Sequence, residues 1–165
     1  MIVPGFAQEG AHAIGAPPDY HALGTFSETW AFLELFIGRC AQLVAGEDQH
    51  EAGFNLQARL DALNAAVRLA PELQELSADA LTLTAEIRAA ALKRQEVLQD
   101  LARASLNRLG LSLFALPAKV MEPNAIGRAF ANSKAVDELH LKACDLVRRT
   151  LLLLSALDDR LARRA

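Results

Sequence analysis

Two carboxylate-x-x-histidine runs are the residues of this chain best suited to chemistry: Glu47-Asp48-Gln49-His50 and Asp137-Glu138-Leu139-His140. A carboxylate and an imidazole three residues apart share one helix face. Di-metal centres in four-helix bundles use two such pairs plus a single glutamate from each remaining helix. Glu34, with Glu86 or Glu96, would complete that set here. The spacing along the chain weighs against it. Glu47 and His50 follow Gly46 at a helix start, whereas such centres sit mid-bundle, and the second run substitutes the shorter Asp. Solvated turn residues and an acidic first helical turn account for both runs better. His140 and Cys144, four apart, offer a second ligand spacing, but zinc would also need Cys40 and a further ligand such as His50. The plainer reading is a half-buried histidine beside a core thiol.

Nucleophilic catalysis finds no support. The chain lacks a Gly-x-Ser-x-Gly elbow, a phosphate-cradling glycine loop and a Cys-Gly-x-Cys run. Ser105, Ser112, Ser133 and Ser155 read as helix-surface or capping residues. The expectation is therefore no enzyme, no cofactor and no metal.

The elements that would position any site are helices. Apolar residues make up 52% of the chain but aromatics only 5%, so Ala and Leu dominate and favour helix over strand. Residues 1–24 read as an extended N-terminal arm, because Gly5, Gly10, Gly15 and Gly24 alternate with Pro4, Pro17 and Pro18. A first helix then opens on a Thr25/Glu28 capping box and ends at Gly46, with Trp30, Leu33, Ile37, Ala41 and Val44 as its stripe. A second runs from about Glu51 to Leu69 with Leu56, Leu60, Leu63 and Val67 at coiled-coil spacing. Pro71 makes the junction at Ala70 either a break between helices or a kink in one.

A third helix, about 72–109, is a rod striped by Leu76, Ala80, Leu83, Ile87, Ala90, Val97 and Leu101. Arg94 interrupts that seam and would have to snorkel or sit at an exposed end. An irregular apolar connector, about 111–132, precedes a fourth helix, 133–163. Leu151 to Leu154 make that last helix apolar all round, the profile of a central or shared helix. The fold class expected is all-α: an elongated four-helix up-down bundle with one long central helix, an extended arm and a single domain over 25–165. Helix 2 and helix 4 together suffice to cover the rod within one chain.

Charge and cysteine content narrow the partners. A net charge of −3, with basic pairs only at Arg148-Arg149 and Arg163-Arg164, gives no basic face for nucleic acid. The four consecutive leucines fall far short of the roughly 20 apolar residues of a membrane span. No Lys or Arg precedes Arg39, so the basic start of an export signal is missing. Cys40 and Cys144, each among apolar residues, are expected as buried free thiols in a reducing cytoplasm.

What remains is binding. The partner-facing candidates are Phe6 and Tyr20 in the arm, Phe114, Leu116 and Met121 in the connector, and Leu151, Leu152 and Leu154 in the last helix. The functional expectation is a non-enzymatic protein–protein interaction module: an adaptor, chaperone or assembly component. Self-association through the last helix or the arm belongs to the same expectation. The alternatives are a structural subunit of a larger particle, such as a phage, secretion or flagellar assembly, and a metal-binding ferritin-like bundle. The run Ala85-Glu86-Ile87-Arg88, followed by Lys93-Arg94-Gln95-Glu96-Val97-Leu98, is also similar to the second long helix of flagellar hook–filament junction export chaperones. That resemblance implies a helical hairpin that holds export substrates. It covers the rod alone and assigns no functional residue, and the chain departs from it in the arm and the last helix.

Overall fold

The computed structural model describes residues 19–45, 55–108 and 125–163, with 103–108 and 125–133 described in backbone course only. The described residues form four α-helices and no strand, the all-α bundle expected. Helix α1 spans Tyr20–Ala45, α2 Leu56–Leu69, α3 Gln74–Arg108 and α4 Ala125–Ala162. None of them is long and apolar enough to cross a membrane.

Helix α1 begins earlier than the Thr25 capping box implies. Asp19 Oδ1 accepts from the amides of His21 and Ala22, each at 3.0 Å, and so caps the helix. Asp outranks Thr as a cap because its ionised oxygen also meets the positive end of the helix dipole. Thr25 instead donates its hydroxyl to the His21 carbonyl at 3.0 Å. Residues 20–24 are thus helix rather than arm, and residues 1–18 lie outside the described chain.

Asn55 caps α2, its side-chain oxygen accepting from Gln57 N at 2.9 Å. The start expected near Glu51 lies outside the described residues. The Ala70-Pro71 junction is a break. Ala70 is extended (φ −89°, ψ 111°), and Pro71–Leu73 form a 3-10 turn before α3 begins. Proline pushes the residue before it out of helical geometry, and its fixed φ suits the first position of the next turn. Helix α4 starts at Ala125, not Ser133, because the Ala-rich stretch 125–132 carries the helix on through its single Gly127. The latter part of the expected connector is therefore helix, and residues 109–124 fall outside the description.

Helix α1 packs on α2 and α4, and α3 packs on the same two, so the four helices enclose one core in cyclic order. Cross-helix pairs show α3 running antiparallel to both neighbours. Arg88 meets Asp61 at 2.5 Å and Thr84 meets Asn64 at 2.8 Å on the α2 side. On the α4 side, Glu86 meets Lys142 and Arg149, and Glu75 meets Arg160. The core contains Phe26, Trp30, Leu33, Ile37 and Cys40 of α1, with Leu60, Leu63 and Val67 of α2. Ala80, Leu83, Ile87 and Val97 of α3 join Val136, Leu139, Leu146, Leu153 and Leu157 of α4 in it. The rod, roughly 52 Å at 1.5 Å per residue, is covered by α4 along much of its length and by the shorter α2 over part of it.

Candidate functional site

The partner-facing candidates divide three ways. Phe6, Phe114, Leu116 and Met121 lie outside the described residues. Tyr20 is exposed in the first turn of α1. Of the leucine run, Leu151 is 41% and Leu152 62% exposed, whereas Leu153 is buried and Leu154 is half-buried against the core. Helix α4 is therefore not wrapped by apolar neighbours on every side: its inner leucines face the bundle and its outer ones face solvent. Leu141, 73% exposed, joins Leu152 on that outer face. Eleven residues separate the two leucines, about three helical turns, which brings them nearly into line. That spacing was open to sequence reading but is hidden by the stronger inward stripe.

Along the same outer line lie Lys134, Asp145, Arg148 and Asp159, all described as exposed or only partly covered. Arg148 donates to Asp145 Oδ1 at 3.0 Å, and Arg149 lies 3.6 Å from the other carboxylate oxygen. The Arg148 hydrogen bond is the main reason the Asp145 carboxyl is held below its ordinary range. A second apolar face lies on α1. Phe32 and Phe36 stack with centroids 6.4 Å apart and planes at 17°, with exposed Leu35 beside them.

The residues that suggested chemistry are occupied in ways that fix helices. Glu86 accepts from Lys142 and from Arg149, the latter at 2.9 Å, and these bonds lower its carboxyl below the ordinary value. The same contact raises the Arg149 guanidinium. Glu96 pairs with Lys93 on the surface at 3.1 Å. Thr29 gives its single hydroxyl proton to the Thr25 carbonyl at 3.0 Å, so it accepts from His140 Nε2 at 3.2 Å. That network assigns the imidazole proton to Nε2 and ties α1 to α4.

The nominated metal ligands do not come together among the described residues. Among the described residues there is no group of three His, Cys, Asp or Glu suited to a metal. Glu47 and His50 lie outside the description. Cys40 is buried, and desolvation pushes its thiol up to about 12. Cys144 is exposed, contrary to the buried pair expected, because position 144 falls beside the outer line of α4.

Trp30 organises the remaining polar feature. Its indole N–H donates to Glu34 Oε1 at 2.6 Å, and the Arg94 guanidinium lies over its ring, 5.2 Å from the centroid. Arg94 thus neither sits at an open end nor simply snorkels: it caps the core tryptophan from α3. An arginine over indole contributes about 0.5–2 kcal/mol, more as water is excluded. Both residues border a cleft of about 470 Å³ that continues past Leu56 to Leu98 and Ala102. Among the described residues Arg94 Nε there has no hydrogen-bond partner. No family profile, curated protein or solved structure matches the chain.

Proposed function

We propose that this chain is a non-catalytic helical module that works by contact with other protein chains, as an adaptor, chaperone or assembly component. The observation that carries the reading is the alignment of large apolar side chains on two solvent faces. Phe32 and Leu35 lie on α1 with Phe36 half-buried beside them, and Leu141, Leu151 and Leu152 lie on α4. Covering a fully exposed leucine or phenylalanine yields about 1.5–3 kcal/mol. Scattered single apolar residues are ordinary on protein surfaces, but residues grouped along a helix face mark contact sites. The paired charges of Glu86, Lys142 and Arg149 fit the same reading, since they hold α3 to α4 and so keep the outer face of α4 rigid.

Site-specific photocrosslinking in the native host tests this. A benzophenone side chain at Leu35 or Leu152 is expected to capture a protein chain, and one at exposed Asp79 is not. Capture at neither apolar position above the Asp79 background would overturn the proposal.

A further inference from the structure

We infer that the outer face of α4 is a two-fold interface, and that its occupant is a second copy of α4 running antiparallel. The inference rests on the contact-module reading above and names the partner for one of its two faces. The line in question reads Lys134, Leu141, Asp145, Arg148, Leu152, Asp159. Its steps are seven, four, three, four and seven residues, the same in either direction. At 100° per residue these six positions stay within a narrow stripe of the helix.

A two-fold axis midway between Asp145 and Arg148 sets each residue against its mirror position. Asp145 then faces Arg148 of the second copy, Leu141 faces Leu152, and Lys134 faces Asp159. Along these six positions each leucine meets a leucine and each charge its opposite, while Asp137 and Glu138 at the edge of the stripe fall opposite the small Ala156 and Ser155. Parallel pairing in register would instead set Asp145 against Asp145 and Arg148 against Arg148, which costs stability. An isologous contact requires this kind of self-complementarity, and a partner of different sequence does not.

The face is free to make the contact. The side chains of Lys134, Asp145 and Arg148 are 82%, 40% and 68% exposed. Among the described residues their polar contacts are short-range ones along α4: Lys134 with Glu138 at 3.8 Å, Arg148 with Asp145 at 3.0 Å, and Arg149 with Asp145 at 3.6 Å. Exposed ion pairs of this kind are weak and exchange readily for contacts across an interface. The stripe spans roughly 37 Å, so the interface is at the small end of specific contacts and the dimer is concentration-dependent.

The test is molar mass by light scattering across a dilution series, on the full chain and three variants. Wild type is expected to rise from the 17.8 kDa of one chain towards twice that value. Arg148→Asp and Asp145→Arg each place two like-charge contacts in the dimer, so each should weaken association at least about tenfold. The double variant D145R/R148D restores opposite signs at both contacts and should return association to near wild type. Helical circular dichroism equal to wild type is required of every variant compared. A single-chain mass at all concentrations overturns the inference, as does Arg148→Asp associating like wild type or a double variant that fails to recover. A monomer that still crosslinks through Leu35 or Leu152 to a different protein removes self-pairing and leaves the contact-module reading standing.

Discussion

Leu146 and Leu152 are six residues apart on one helix and make opposite predictions. Leu146 is 0% exposed in the core, and its truncation to Ala removes buried methyl groups and leaves a cavity. Such changes cost about 3–5 kcal/mol where the surroundings cannot collapse. Leu152 is 62% exposed, so little more than a third of its side chain leaves water on folding. At about 0.8 kcal/mol per fully buried methylene, Leu152→Ala costs under about 1 kcal/mol, and alanine's helix propensity offsets part of that. For a chain of 165 residues, 1 kcal/mol corresponds to about 3 °C in Tm. Leu146→Ala should therefore melt about 9–15 °C below wild type, and Leu152→Ala within about 3 °C of it. The assay is thermal unfolding by circular dichroism, at dilutions where light scattering returns a single-chain mass. A difference between the two variants below about 1 kcal/mol would refute the assignment of inner and outer faces on α4.

Three further outcomes follow from particular contacts. Glu86→Gln should lower stability at pH 7 by about 1 kcal/mol, since the pairs with Lys142 and Arg149 are partly solvated. The folded Glu86 carboxyl titrates below its unfolded value, so its contribution is present above the ordinary glutamate range and lost as pH falls through it. The gap between wild type and Glu86→Gln in urea midpoint should close on acidification, and a gap independent of pH would contradict the pairing. In the folded protein Cys144 should alkylate readily while Cys40 stays intact, because a thiol raised to about 12 has about a thousandfold less thiolate at neutral pH than an ordinary one. Equal labelling of the two by mass spectrometry would rule that out. Thr84→Val should cost about 1–2 kcal/mol by removing the buried donor to Asn64 Oδ1, while Thr82→Val, on the exposed side, should be near neutral in the same urea titration.

The inward stripes were legible because burial enforces one periodicity on each helix. Leu33, Ile37, Leu60, Leu63, Val67, Leu83, Ile87 and Val97 are core residues where three-then-four spacing places them. Helix ends were less legible. Asp19 competes with the Thr25/Glu28 box, and the local pattern alone does not rank two plausible caps. Helix α4 continues through 125–132, where the pattern of apolar residues weakens but alanine propensity persists. Arg94 looked like a flaw in the rod because its partner, Trp30, is on another helix and far away in sequence. The charge pattern on the outer face of α4 was present in the sequence throughout. It becomes readable once Leu141 and Leu152 are known to face outward, for only then do Asp145 and Arg148 share a line with them.

The order in which these helices can be covered differs from the order in which they are made. The α2–α3 hairpin is joined by one extended residue and a 3-10 turn, and its cross-links Thr84–Asn64 and Arg88–Asp61 close loops of 20 and 27 residues. Such local closures form early and cost little chain entropy. The Thr29–His140 contact closes a loop of 111 residues. During synthesis, the apolar face of α1 that carries Phe26, Trp30, Leu33 and Ile37 emerges well before α4, a main cover for α1, has been made. Once α3 is complete and until α4 follows, the chain therefore carries an α1 face short of its α4 cover beside a hairpin already able to fold. The interval between the making of α3 and the making of α4 is when this apolar face is most open to wrong association.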